Sequence, residues 1–271
     1  MSGVVAIICA RMGSSRLPGK VLKPLPGGSV LSVIVDRVAA ARTVDRVVVA
    51  TTLRKADDPI VNFCRARNIH CYKGSENDVL DRVYQAAVEH GAEIIVDITA
   101  DCPLVDGRHI DRIVRELRGE HDTFAEAGDF RGYPDYVSNC WQREWPDGLD
   151  IQAYTFAALK AVWDSPDSVR EHVGWNIAQQ AESLGFYLRQ VCAPRKYAHP
   201  EWGLTLDEAA DYELIKKLFT EGVLAGGDHL FPVEYVLDYL LSHPEMLDIN
   251  AGVRRHVNSN NRAAQFIEDT R

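Results

Sequence analysis

Short apolar runs of four to six residues alternate with segments of helical period through the first half of the chain. Val4 to Cys9, Arg46 to Thr51, Ile69 to Tyr72 and Ile94 to Thr99 read as strands. Val30 to Arg42, Pro59 to Arg67, Asp78 to His90 and Asp111 to Arg118 read as helices, the third closed by Gly91 just beyond its end. Strands separated by helices cannot pair as hairpins. They form a mostly parallel sheet with helices on both faces, an α/β fold. In such a sheet ligands gather beyond the carboxyl ends of the strands. The loops that follow the strands are therefore where chemistry is expected.

Composition narrows the class. The 271 residues carry 30 Lys+Arg against 39 Asp+Glu, a formal charge of −9, and 46% are hydrophobic. That balance fits a folded globular chain and excludes a disordered, collagen-like or coiled-coil one. An acidic chain is not a general nucleic-acid coat, although a local cation cluster can still hold phosphates. No run of 18 apolar residues is present, so no membrane span is expected. The first apolar run has no basic residue before it and reads as a buried strand, not a leader. The six cysteines lack CxxC spacing, which points to reduced thiols and a cytoplasmic location, with neither a zinc site nor a disulfide framework.

The second half is less regular. Strands are expected at Tyr136 to Asn139, Asp150 to Tyr154 and Gly185 to Val191. Helices are expected at 155–163, 169–182, 207–221 and 232–242. Beyond Asn250 the chain turns polar and is expected to fray.

The densest signal is ARMGSSRLPGK, Ala10 to Lys20, directly after the first strand. Gly13 permits close approach of a ligand, and Arg11, Arg16 and Lys20 supply charge for phosphate oxygens. A solvated basic turn is the other reading of these residues. The GxxxxGK[ST] and GxGxxG patterns are both absent, which counts against P-loop hydrolysis and against a nicotinamide oxidoreductase. Two acidic positions flank other strand ends. Asp101 in ITADCPLVD is either a metal ligand or a turn residue before Pro103. Asp207 in LTLDEAAD is either a metal ligand or a helix cap.

These stretches, together with VVVATT, YKGSENDVLDR, DYVSN, WPDGLDIQAY and REHV, resemble the cytidylyltransferases that include CMP-sugar-acid synthetases, most of all their spore-coat-polysaccharide branch. The resemblance runs from residue 6 to about residue 215. It implies a Rossmann-like, GT-A-like nucleotidyltransferase domain over residues 1–250. A substrate or dimerisation excursion is expected at about 125–200, and a polar tail at 251–271. It implies CTP and a small-molecule acceptor as substrates, Mg²⁺ as cofactor, pyrophosphate as product and a homodimer as assembly.

On the residues, the resemblance gives the triphosphate to Ala10, Arg11, Met12, Gly13, Ser14 and Lys20, with Arg11, Lys20 and Asp101 catalytic. It gives the metal to Asp101 and Asp207, and the nucleoside to Thr51, Thr52, Ser75 and Asp78. Strand-end and capping chemistry is the other reading of those four. Ala100 stands where many relatives carry Gly, which adds a methyl beside Asp101. The acceptor is expected at Arg16, Asp147, Asp150, Arg170, Glu171 and His172, with Arg143, Arg195 and Lys196 as further cations. His172 is open between a base and a packing role. A carboxylate, phosphate or phosphonate acceptor needs no strong base, whereas a sugar hydroxyl needs help from Asp147, Asp150, His172 or the metal. A glycosyltransferase using a nucleotide sugar and a non-catalytic nucleotide-binding protein are the competing readings. The missing DxD motif argues against the first, and the intact cations and carboxylates against the second.

Overall fold

The computed structural model describes residues 3–120 and 132–255. Its elements run β1 (Val4–Cys9), a small hairpin of β2 (Pro24–Leu25) and β3 (Gly28–Ser29), α1 (Val30–Ala39), β4 (Arg46–Thr52), α2 (Asp58–Ala66) and β5 (His70–Gly74). There follow α3 (Val79–Glu89), β6 (Ile94–Thr99), α4 (Gly107–Leu117), β7 (Tyr136–Ser138), β8 (Gln152–Thr155) and α5 (Phe156–Asp164). The remainder is α6 (Val173–Gln179), α7 (Ala181–Leu184), β9 (Leu188–Gln190), α8 (Ala209–Gly226) and α9 (Val233–Ser242).

Seven strands form one sheet in the order β5-β4-β1-β6-β8-β7-β9. β1 pairs in parallel with β4 on one side and β6 on the other. The chain thus leaves β1 in both directions, and the crevice above its carboxyl end is the switch point where such sheets bind ligands. β8 runs antiparallel to both neighbours, β6 and β7, and is the one reversed strand of this sheet. The expected α/β sheet is therefore present and mostly parallel. The described part of the 125–200 stretch supplies its other edge, through β7, β8 and β9.

Alternation within β1 divides the core. Val4, Ala6 and Ile8 pack on the face covered by α1, α4, α8 and α9. Val5 and Ile7 pack on the face covered by α3, α5 and α6. α1 shows why these segments become helices. Ser29 caps it by accepting from the Ser32 N–H, and Val30, Leu31, Val33, Ile34 and Val38 are fully buried. Each such side chain contributes about 1.5–3 kcal/mol.

Several boundaries differ from expectation. α4 starts a turn earlier than Asp111, because the Asp106 carboxylate accepts the Arg108 N–H and caps the helix there. Residues 169–172 are not helical. The Asn176 side chain takes both backbone groups of Val169 and the carbonyl of His172, so that segment stays a loop ahead of α6. β9 is shorter than 185–191, and α8 runs on to Gly226. Residues 250–255 do not fray, since Asn250 and Arg255 both donate to the buried Asp211 carboxylate. The rest of the tail, and residues 121–131, lie outside the described residues. No helix among the described residues is long and apolar enough to cross a membrane.

Gly148 sits where two rim segments cross. Its φ is +104°, and a Cβ there would lie 2.3 Å from the Leu204 carbonyl carbon. Gly148→Ala is expected to destabilise the fold by about 2 kcal/mol or more, through strain and a backbone clash together. Urea midpoints with an unchanged m-value would show it, and an unshifted midpoint would refute it.

Candidate active site

β1 ends at Cys9 and delivers Ala10 to Lys20 to the switch-point crevice. The loop closes on itself through Met12, whose carbonyl accepts the N–H groups of Ser14 and Gly19, each at 3.0 Å. Gly19 takes φ +69° and turns the chain into a short 3₁₀ turn at Lys20–Leu22. Ser14 Oγ accepts the Leu17 N–H. A Cβ at Gly13 would meet nothing within 4 Å, so the outer side of the loop is open. Arg11 is exposed there. Asp57 holds the loop from below. This carboxylate, 2% exposed, accepts the Met12 N–H at 2.6 Å and a hydrogen bond from the Thr52 hydroxyl at the end of β4. Asp57 was not anticipated. Only its position just before a helix marked it, and that suggests a cap.

Lys20 turns inward. Its Nζ lies 3.2 Å from Asp101 Oδ2, 3.0 Å from Asp207 Oδ1 and 2.7 Å from the Leu206 carbonyl oxygen. Residues 101 and 207, more than a hundred positions apart, thus face one cation. The backbone keeps them together, since the Leu206 N–H donates to the Asp101 carbonyl at 2.8 Å. Asp207 is free for this role because the Asp211 carboxylate accepts the N–H groups of Asp207 and Glu208 at the start of α8. The cap reading of Asp207 is thereby replaced. Arg16 closes the cluster, 3.1 Å from Asp207, and is not among the residues that line the neighbouring cavity.

Burial opposes charge on Lys20, but Asp101 and Asp207 outweigh it and raise its pKa. Burial likewise works to raise the Asp101 carboxyl. The Lys20 ammonium, with hydrogen bonds from Thr99 and Lys20, more than offsets that and holds it below its ordinary value. Both groups are charged at neutral pH.

The residues assigned to the nucleoside are more occupied. Thr51 and Thr52 are fully buried. Thr52 is spent on Asp57, whereas the Thr51 hydroxyl has no partner among the described residues. Ser75 Oγ accepts the Asp78 N–H. Asp78 caps α3 through the Asp81 N–H and pairs with Arg170 at 2.8 Å.

A cavity of about 740 Å³ adjoins this cluster on the β6–β8–β7 side. Thr99 and Asp150 line it next to the Asp101 rim, and residues 168–175 form its far wall. Asp150, Arg170, Glu171 and His172 therefore share one cavity, as their assignment to a common substrate requires. His172 and Glu171 are exposed at its mouth. Arg143 pairs with both oxygens of Asp150, at 2.9 and 2.7 Å, and with Asp147 at 3.2 Å. Burial and the neighbouring Asp150 raise the Asp147 carboxyl, while Arg143 opposes them. Arg195 and Lys196 lie outside the residues that line this cavity, and Lys196 pairs with Asp238.

Asp97 is the second residue sequence reasoning missed. It sits in the middle of β6, lines the cavity and is 8% exposed. Tyr154 on β8 donates to it at 3.1 Å. Burial pushes its pKa up to about 6, against opposing effects of the Tyr154 hydrogen bond and of Arg82. The protonated carboxyl therefore favours the folded chain. That contribution is complete below its ordinary value of 3.8 and is lost as pH rises through about 6. Asp97→Asn is expected to gain stability over the parent between pH 4 and pH 7.5, by up to about 3 kcal/mol. Urea denaturation of both proteins at the two pH values reads this difference, and a gap independent of pH would contradict it.

The family model for cytidylyltransferases matches residues 5–234. The chain is similar to an uncharacterised protein of Methanocaldococcus jannaschii, 32% identical over 93% of this chain and 96% of that one. It is similar to the spore coat polysaccharide biosynthesis protein SpsF of Bacillus subtilis, 29% identical over 81% of this chain and 87% of the relative. Among solved structures, a cytidylyltransferase from Leptospira borgpetersenii superposes with a TM-score of 0.79 at 27% identity, covering 94% of this chain and all of that one. With a parallel switch-point sheet and a match over most of its length, the chain belongs to the cytidylyltransferase family and is a CTP-dependent nucleotidyltransferase.

Proposed function

We propose that this enzyme transfers CMP from CTP to an oxygen of a small-molecule acceptor in a Mg²⁺-dependent reaction, with pyrophosphate as leaving group. The observation that carries the reading is the meeting of Asp101 and Asp207 on the Lys20 ammonium. Two carboxylate oxygens already converge on one cation. Hard oxygen ligands of this number, completed by phosphate oxygens and waters, suit Mg²⁺. Asp101 and Asp207 would hold the ion. When bound, it would supply electron withdrawal from the phosphate oxygens.

The remaining work falls to the loop. Negative charge grows on the β- and γ-phosphates as the bond to the α-phosphorus breaks. Lys20 and Arg11 lie where they can bind that charge, and such contacts strengthen in the transition state. The Ala10–Gly13 backbone, fixed by Asp57 and open above Gly13, orients the triphosphate. Asp150 lines the cavity and shares Arg143 with Asp147, and an acceptor oxygen would approach the α-phosphorus beside them. Positioning and electrostatics carry most of such a reaction. A homodimer, which the family resemblance favours, is part of this proposal, and light scattering on the eluting protein tests it.

Lys20→Ala and Asp101→Ala are each expected to lower turnover by about 10² or more through lost electrostatic stabilisation. Pyrophosphate release from CTP, beside circular dichroism of each variant, measures this. Undiminished turnover in folded Asp101→Ala would remove the ion from these two carboxylates.

A further inference from the structure

The start of α8 is crowded with acid. Asp207 and Glu208 precede the helix, Asp211 lies in its first turn, and Asp101 shares Lys20 with Asp207. Like charges this close repel, so each needs a cation. Lys20 and Arg16 serve Asp207 and Glu208 from the Ala10–Lys20 loop. Asp211 is fully buried, and its cation among the described residues is Arg255, from the other end of the chain.

The two oxygens of Asp211 divide their work. Oδ2 accepts the Asp207 and Glu208 N–H groups at 3.1 and 2.9 Å. Oδ1 accepts from Arg255 Nη2 and from Asn250 Nδ2, each at 2.8 Å. The same two donors reach the Gly203 carbonyl oxygen, at 3.1 and 2.9 Å. A Cβ at Gly203 would lie 1.8 Å from the Arg255 guanidinium carbon, so a glycine there is what admits the guanidinium. Gly203 in turn lies between Trp202 and Leu204, which bond to the carbonyl and N–H of Asp147. The segment that ends α9 and runs to Arg255 is therefore bound to the back of the carboxylate cluster.

The duplicate bonds separate charge from geometry. Without Arg255, Asn250 would still satisfy Asp211 Oδ1 and the Gly203 carbonyl. The counter-charge would be lost. A buried carboxylate without one is unfavourable and relaxes toward water. Asp211 could do so only by drawing away from the Asp207 and Glu208 N–H groups that its other oxygen holds. Lys20 is no substitute, because in the proposed reaction it turns to the phosphates.

We infer that Arg255 is a positioning residue for the reaction: acting through Asp211, it fixes the start of α8 so that the Asp207 carboxylate stays aimed at the metal ion while Lys20 changes partners. The inference rests on the Mg²⁺ reading of Asp101 and Asp207 given above. Arg255 need touch neither nucleotide nor ion, and its loss is expected to act on the metal and to spare the nucleotide.

The test is calorimetric binding of CTP to the full chain, without metal and with Mg²⁺, beside the Mg²⁺ dependence of pyrophosphate release. CTP affinity of the parent is expected to rise with Mg²⁺. In Arg255→Ala the metal-free affinity is expected to stay within about twofold of the parent. The gain from Mg²⁺ is expected to fall by about tenfold, and the Mg²⁺ concentration that half-saturates turnover to rise by a similar factor, as when a residue behind a metal ligand is lost. Arg255→Lys keeps the charge and is expected to restore most of the gain. Gly203→Ala attacks the same contact from the other side, since the added methyl displaces the guanidinium. It is expected to reproduce the loss, and the double variant to lose little more than either alone. Circular dichroism checks the fold of each, and were Arg255→Ala to unfold, Gly203→Ala reads the same quantity.

An unchanged Mg²⁺ gain in folded Arg255→Ala or Gly203→Ala overturns the inference. So does an equal loss of CTP affinity with and without metal, which a merely structural role would give. A parent whose CTP binding and turnover both ignore Mg²⁺ overturns the metal reading and the inference with it.

Discussion

One ammonium group organises the catalytic end of the sheet. Lys20 gathers the carboxylates of Asp101 and Asp207 and the carbonyl of Leu206, and so joins three segments from distant parts of the chain. Each segment is also anchored independently. The loop is held by Asp57, the Asp101 turn by the backbone bond to Leu206, and the start of α8 by Asp211. These buried supports leave Lys20, Asp101 and Asp207 free to exchange partners without loss of the frame. The triphosphate site proposed above would need that freedom. The carboxylates must be held close although they repel one another, and the ammonium offsets the repulsion.

β6 serves two sites at once. Its side chains alternate, and Asp97 and Thr99 project into the cavity while Asp101, two residues beyond its end, turns to Lys20. A single strand therefore fixes the spacing between Asp97 in the cavity and the carboxylate cluster around Lys20. That spacing is set by the parallel pairing of β6 with β1 and by no flexible loop. Reacting groups gain most from such rigid placement, since small misalignment is costly in rate.

Much of the sheet was legible because β1, β4 and β6 are mostly apolar runs that meet polar loops abruptly. The position of the Ala10–Lys20 loop at the carboxyl end of β1 was legible for the same reason, since its glycines, serines and cations follow a buried strand directly. The pairing of Asp101 with Asp207 was not derivable from pattern. Their proximity depends on a backbone contact across more than a hundred residues, and Asp207 alone looks like a cap. Asp57 was hidden because its partner, the Met12 N–H, lies 45 residues upstream. Asp97 was hidden inside an apolar run, where a lone acid carries no periodic signal. The expected helix over 169–172 failed on one side chain, because the Asn176 amide offers the backbone a competing set of hydrogen bonds.

The reversed direction of β8 divides the labour of the sheet. β6 and β8 pair head to tail, so the loop that enters β8 arrives beside the loop that leaves β6. Asp147 to Asp150 thereby reach the carboxyl-end rim from a strand of opposite sense, while the Ala10–Lys20 loop and the Asp101 turn leave the parallel strands β1 and β6. The two halves of the rim meet along the β6–β8 ladder and are tied again by the Arg170–Asp78 pair and by the strand-like contact of Asp147 with residues 202–204. Alteration of the entering loop can reshape that wall of the cavity while β1, β4 and the Ala10–Lys20 loop stay as they are. A single strand reversal thus gives the fold a wall that can change apart from the parallel strands beside it.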